Sequence, residues 1–277
     1  MYHKYKKYKS KYQNLKLITT NNNIANNMEL AVDSLLNSTN NSFVFVDINI
    51  NKNEEKTIQS LIINDDLMID TFSYFGKFNI TKLDNLINNF ILSIGNNIGS
   101  SNKITNILLN NIIKPYVEAT NKNYIWFTIK IFFSEPYFDI PRWHTDGYFY
   151  NPEYYTQNNL PQIKLVGSLK GCPTLFKENS KEMRTKYYKL FKSLHNKNNS
   201  GIENMENRKI LDNALKEYNH VYPLKNQAAI FIVGLKDRSA VHSEPKINTK
   251  RLFYSVLTGN REEIKDLATN WKVQFQE

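Results

Sequence analysis

The sequence predicts an α+β fold with helices early, a β-rich core late and one helical insertion inside that core. Three observations predict it. Apolar residues recur at helical spacing through the first half of the chain. Runs of alternating aromatic and β-branched residues dominate from Tyr124 onward. A polar, helix-patterned stretch over 177–220 separates those runs into two blocks.

Taken in order, residues 1–40 are basic, Asn-rich and weakly patterned apart from a helix-like stretch at 29–36. They read as a tail and lead-in to one domain over 41–277. The segment 43–50 (FVFVDINI) alternates and is β-branched, so it predicts a strand. Helices follow at 83–96 and 104–119, the second carrying Ile107, Leu108, Ile112 and Ile113 as one stripe. Strands are predicted at 124–133 (YIWFTIKIFF), 163–169 (IKLVGSL), 228–233 (AAIFIV) and 251–257 (RLFYSVL), with Gly and Pro turns between them.

Composition narrows the class. Of 277 residues, 41% are hydrophobic and 22% charged, and 16 Phe, 17 Tyr and 3 Trp suffice for a sizeable core, which excludes global disorder. With 9 Gly and 8 Pro the chain is not fibrous. No run approaches the ~18 apolar residues of a membrane span, and no apolar stretch backs the basic N-terminus as in a secretory signal. Cys172 is the single cysteine, which suits a reducing compartment. A soluble, cytoplasmic protein with no membrane partner is expected. The net charge is +10 and the pI about 9.3. Much of the surplus sits at Lys4, Lys6, Lys7, Lys9, Lys11 and Lys16, ahead of the first acidic residue, Glu29. Residues 1–16 are therefore either a solvated basic arm or a weak nucleic-acid contact.

The chemistry concentrates in Pro141-Arg142-Trp143-His144-Thr145-Asp146-Gly147. Side chains two apart on an extended strand share a face, so His144 and Asp146 can converge on one point. An imidazole and a carboxylate so placed form two thirds of a facial triad that leaves positions open on a non-haem Fe(II). A second histidine must come from elsewhere. His3 lies in the tail and His195 in a polar helical stretch, which leaves His220 and His242. His242 is the stronger candidate, because it follows the apolar strand at 228–233 and a turn. Arg251 opens the last strand nine residues later.

In this order and context the sequence resembles the Fe(II)/2-oxoglutarate-dependent dioxygenases, over about 124–258. Their double-stranded β-helix (jelly roll) carries H-x-D early and His, then Arg or Lys, late. The resemblance implies that core fold here, with flanking N-terminal helices and the helical insertion. It implies His144, Asp146 and His242 as ligands of Fe(II), and Arg251 as the partner of the distal carboxylate of 2-oxoglutarate. A guanidinium suits that task because it stays charged and grips a carboxylate through two parallel hydrogen bonds. Lys164 and Ser168, on one face of the 163–169 strand, and Ser255, on the Arg251 face, are candidate co-substrate contacts. Each can equally face solvent. Thr174, beyond the Gly171-Cys172-Pro173 turn, is a further site candidate. Trp143 and Tyr148 either wall a substrate cavity or pack as ordinary aromatics.

The chain departs from three subclasses. Phe253 stands where many small-molecule members carry Ser, and Leu257 where the nucleic-acid dealkylases carry a second Arg. Arg251 replaces the Lys of collagen-type prolyl hydroxylases. The implied reaction is oxidative decarboxylation of 2-oxoglutarate to succinate and CO2, coupled to hydroxylation or demethylation of a substrate. That substrate, whether protein, nucleic acid or small molecule, is not named by the sequence. Two rivals stand beside this reading. One is a metal-binding β-helix protein that does not use 2-oxoglutarate. The other is a non-catalytic nucleic-acid-binding protein that uses the basic tail. Residues 167–171 lack the spacing of a phosphate loop, and Cys172 has no adjacent activating base.

Overall fold

The computed structural model describes residues 24–25, 27–38, 40–197 and 201–277. The basic stretch 1–16 and His3 lie outside the described residues. Helix α1 (Met28–Asn37) begins where the Asn27 side chain accepts from the Leu30 amide. Its Met28, Ala31, Val32 and Leu35 are buried, so the lead-in read over 1–40 supplies part of the core. Strand β1 (Ile24–Ala25) pairs in parallel with β2 (Phe43–Asp47). Helix α2 (Lys52–Gln59) and strand β3 (Thr71–Lys77) follow.

The two predicted early helices are present. Helix α3 spans Ile80–Ser93. The second is longer than its apolar stripe: α4 (Ile98–Asn106), a π-helical turn (Ile107–Ile113) and α5 (Lys114–Thr120) run on without a break. The widened turn lies just ahead of Pro115, whose ring cannot sit against the carbonyl four residues back.

The later strands are β4 (Tyr124–Phe132), β5 (Gln162–Lys170), β6 (Leu175–Lys177), β7 (His220–Val221), β8 (Gln227–Val233), β9 (His242–Ser243), β10 (Arg251–Gly259) and β11 (Phe275–Gln276). Between them lie α6 (Pro152–Gln157), the insertion helices α7 (Lys181–Lys197) and α8 (Met205–Leu215), and α9 (Arg261–Asn270).

Eight strands form a large sheet in the order β1-β2-β8-β5-β10-β4-β3-β11, and β7-β6-β9 form a smaller one. The small sheet is extended by an antiparallel bridge between His144 and His242. Strand β4 shows how the faces divide. Ile125, Phe127, Ile129 and Ile131 point into the large core shared with α1, α3, α4 and α5. Trp126, Thr128 and Phe132 must then point to the other face. On that face Phe43, Phe45, Val166, Ala229 and Phe231 meet Phe176 of the small sheet. Strand β8 is covered on both sides, which is why its sequence is a continuous apolar run instead of an alternation. The insertion helices pack behind the small sheet, where Met183, Tyr187, Leu211 and Leu215 surround Trp143 and Val241.

Candidate metal centre

The site forms where the small sheet faces the large one. His144 and His242 exchange backbone hydrogen bonds, each N–H to the other's carbonyl at 2.9 Å. That closely spaced pair sets the two imidazoles side by side, with ring centroids 4.2 Å apart. Antiparallel register then places Arg142 opposite Glu244, and these side chains pair at 2.7 Å (Nη2 to Oε1). The ion pair extends a very short ladder by one step and fixes the register on which the histidine pair depends. Burial opposes ionisation of Glu244, yet His144 and Arg142 hold its carboxyl down to about 2.

Asp146 completes the cluster. Its Oδ1 lies 3.8 Å from Nε2 of His144 and 3.8 Å from Nε2 of His242. One ligand atom from each of the three residues falls within 4.8 Å of the others. The far nitrogens decide the tautomers. Nδ1 of His144 faces the Arg142 carbonyl at 2.7 Å, and Nδ1 of His242 faces the Ala240 carbonyl at 3.1 Å. A carbonyl only accepts, so each Nδ1 carries a proton, which leaves Nε2 of each ring, on the side of Asp146, as the nitrogen that can ligate. Desolvation, followed by neighbouring His144, pushes His242 down to about 4, so it is neutral near pH 7. Burial works against the Asp146 carboxylate, but Lys164, His242 and His144 outweigh it and hold its pKa well below the usual range. Two imidazoles and a carboxylate aimed at one point fit a divalent ion such as Fe(II).

Backbone geometry secures Asp146. Its carbonyl accepts from the Gly234 amide at 2.9 Å. Gly234 follows β8 with φ +82°, and a Cβ there would fall 2.1 Å from Cδ1 of Tyr148. Only glycine combines that backbone conformation with that contact.

Arg251 lies on the same interior face, on β10, and is 1% exposed. Its Nε donates to Ser168 Oγ at 3.0 Å and its Nη2 to Thr174 Oγ1 at 2.8 Å. Ser168 Oγ in turn donates to the Cys172 carbonyl at 3.2 Å. Phe132 and Phe253 flank the guanidinium at 5.4 and 4.8 Å. Desolvation lowers its pKa to about 10, so it remains charged at neutral pH. Among the described residues no carboxylate forms an ion pair with it. Gly171 (φ +83°) lets the turn close over this residue, since a Cβ there would approach the Arg251 Cα to 2.8 Å.

The remaining sequence candidates divide. Ser168 and Thr174 touch Arg251. Lys164 goes elsewhere: its Nζ donates to Asp146 Oδ2 at 3.0 Å. Ser255 is buried two residues beyond Phe253 on the Arg251 face and is not one of the groups bonded to the guanidinium. Tyr148 packs over Gly234 and beside Tyr155, with its hydroxyl donating to the Leu160 carbonyl at 3.3 Å. Trp143, read from the sequence as a substrate contact, is 1% exposed and points to the insertion side. Its Nε1 donates to Asp212 Oδ1 at 2.8 Å, and Lys177 Nζ lies 4.6 Å from its ring. Strand alternation explains the difference, because the neighbour of an inward His144 must face outward. His220 is exposed on β7. Sequence reasoning missed the Arg142–Glu244 pair and the role of Gln162. The Gln162 side chain accepts from the Phe149 amide at 2.9 Å and donates to the Tyr150 carbonyl at 2.5 Å, anchoring the segment after Asp146.

No family model and no curated protein matches the chain. Similar solved structures include the dioxygenase for auxin oxidation in rice, at 8% identity and TM-score 0.44, covering 90% of this chain and 92% of that one. AviO1 from Streptomyces viridochromogenes Tue57 matches at 8% identity and TM-score 0.39, over 85% of this chain and 96% of that one. A prolyl-4-hydroxylase of Pseudomonas putida matches at 8% identity and TM-score 0.38, over 84% and 99%. In its ligand set, the His144, Asp146 and His242 cluster, the chain resembles the Fe(II)/2-oxoglutarate-dependent dioxygenases. Among the described residues, no helix is long and apolar enough to cross a membrane.

Proposed function

We propose that the chain is an Fe(II)- and 2-oxoglutarate-dependent oxygenase that hydroxylates or demethylates a substrate, with release of succinate and CO2. One observation carries the reading: a two-histidine, one-carboxylate cluster shares an interior face with a buried arginine that has hydroxyl partners only. Strand order supports a double-stranded β-helix. From β4 to β10 the chain alternates between sheets: large, small at His144, large at β5, small at β6 and β7, large at β8, small at β9, large at β10.

His144, Asp146 and His242 would hold the metal, which supplies oxygen activation coupled to decarboxylation of the co-substrate. The protein's own residues do the rest. The carbonyls of Arg142 and Ala240 engage both Nδ1 atoms and so leave Nε2 as the ligating nitrogen of each ring. Arg251 has five N–H groups, and Ser168 and Thr174 engage two of them. Those left over suit a carboxylate held through two parallel bonds. Phe132 and Phe253 keep water from that contact, which strengthens it. A buried cation with no ion pair among the described residues favours 2-oxoglutarate use over a β-helix protein that only binds metal.

Binding under anaerobic conditions tests the proposal. The wild type should take up one Fe(II) per chain, and 2-oxoglutarate should bind tightly only once metal is present. His144→Ala and His242→Ala should lose both. Wild-type protein that takes up no divalent metal would sink it.

A further inference from the structure

Lys164, in the sequence either a co-substrate contact or a solvent-facing chain, donates to Asp146 Oδ2, while Oδ1 is the oxygen 3.8 Å from both imidazole Nε2 atoms. The lysine is not a loose surface chain. Nζ lies 4.8 Å from the Phe149 ring centroid and 5.9 Å from that of Trp126. These two rings meet edge to face at 5.5 Å and 70°. The ammonium therefore sits in an aromatic corner that favours a cation and fixes its position. Two residues earlier on the same face of β5, Gln162 grips the backbone at Phe149 and Tyr150. One strand face thus holds both Asp146 and the segment that follows it.

We infer that Lys164 is a positioning residue for the metal centre proposed above: it occupies one oxygen of Asp146 and commits the carboxylate to ligate through the other alone. The inference rests on that reading of the site. A carboxylate bound through one oxygen leaves more positions open on a six-coordinate ion than one that chelates. A co-substrate that binds through two atoms, together with oxygen, requires those positions. Without the Lys164 bond, Asp146 is free to turn its second oxygen inward. The ammonium has an opposing effect, since a cation near the site repels a metal ion. Losing Lys164 therefore does not weaken metal uptake, and its positioning role shows in the carboxylate's binding mode and in the positions left for the co-substrate.

The test uses Mn(II) and Co(II) on full-length protein, with circular dichroism to confirm folding. Lys164→Met should change the absorption spectrum of bound Co(II), because the carboxylate's binding mode changes, and should weaken 2-oxoglutarate binding to the Mn(II)-loaded protein by about 10–100-fold, the usual loss when a group that orients a metal ligand is removed. Lys164→Gln keeps an N–H donor without the charge and should recover part of that loss. It carries the test alone if the Met variant fails to fold, with weaker 2-oxoglutarate binding than wild type expected. An unchanged Co(II) spectrum, or wild-type 2-oxoglutarate affinity in the folded variants, overturns the inference. His144→Ala run in parallel separates the two levels of the account. If His144→Ala keeps wild-type metal binding, the metal-centre reading itself fails. If only the Lys164 variants keep the wild-type spectrum and 2-oxoglutarate affinity, the positioning role alone fails.

Discussion

Arg251→Met distinguishes a co-substrate anchor from a packing residue, because the two roles move stability and binding differently. In the folded protein Arg251 is a buried cation bonded to two hydroxyls; among the described residues no carboxylate forms an ion pair with it, and Glu244 acts on it only through space. Burying an ion without a counter-ion costs several kcal/mol, and methionine removes that penalty while filling much of the volume. Ser168 keeps its bond to the Cys172 carbonyl, so Thr174 Oγ1 is the group that loses its partner. One such loss costs about 1–3 kcal/mol. The two effects oppose each other, and the apo variant should lie within about 2 kcal/mol of wild type in urea unfolding. Co-substrate binding should respond far more. Two charge-assisted hydrogen bonds at about 1.5–3 kcal/mol each amount to roughly 3–6 kcal/mol, or about 10²–10⁴-fold in Kd. Calorimetric titration of 2-oxoglutarate into Mn(II)-loaded protein reads this directly. Unchanged 2-oxoglutarate affinity, or an apo stability loss above about 4 kcal/mol, would refute the reasoning.

Gly234→Ala should destabilise the fold by about 1–3 kcal/mol, from left-handed backbone strain and overlap with Tyr148. Because the Gly234 amide holds the Asp146 carbonyl, Mn(II) affinity should fall as well, and a variant that melts and binds like wild type contradicts this. Trp143→Phe removes the bond to Asp212 and should lower unfolding free energy by about 1–3 kcal/mol, leaving metal affinity essentially unchanged. Loss of Mn(II) binding without loss of stability would return Trp143 to the site. Arg142→Met leaves Glu244 without its cross-strand partner and should cost about 1–3 kcal/mol, again read by urea unfolding. Wild-type stability in that variant would mean that the ladder does not need the ion pair.

Much of the site was legible because it depends on strand periodicity. H-x-D places two ligands on one face whatever the surrounding fold, and His242 was reached by asking which histidine follows an apolar strand. Arg251 and Ser168 entered as what the family resemblance implies and Thr174 as a candidate beyond the Gly171-Cys172-Pro173 turn, and the structure brings the three together. What was illegible depends on register between distant segments. The Arg142–Glu244 pair exists only because His144 lies opposite His242, a fact that no local window contains. Lys164 sat on the correct face, but only the path of the 146–150 segment decides that it meets Asp146. Trp143 was left open between a cavity wall and ordinary packing, although the alternation just used for His144 already turned it away from the ligand face. Among fold elements, the long amphipathic helices and apolar strands were read and α2, β3 and α9 were not. Helices α2 and α9 are short and polar, but each starts with a capping box, Asn51 with Glu54 and Asn260 with Glu263, that could have marked it. Strand β3 is an edge-side aromatic segment (TFSYFGK) with mixed burial, so its alternation is weak.

The most direct measurement is succinate formation against oxygen consumed by Fe(II)-loaded protein supplied with 2-oxoglutarate. The account predicts succinate in proportion to oxygen, dependence on added Fe(II), and loss of both signals in His144→Ala. A folded, metal-loaded wild type that binds no 2-oxoglutarate and forms no succinate would contradict it.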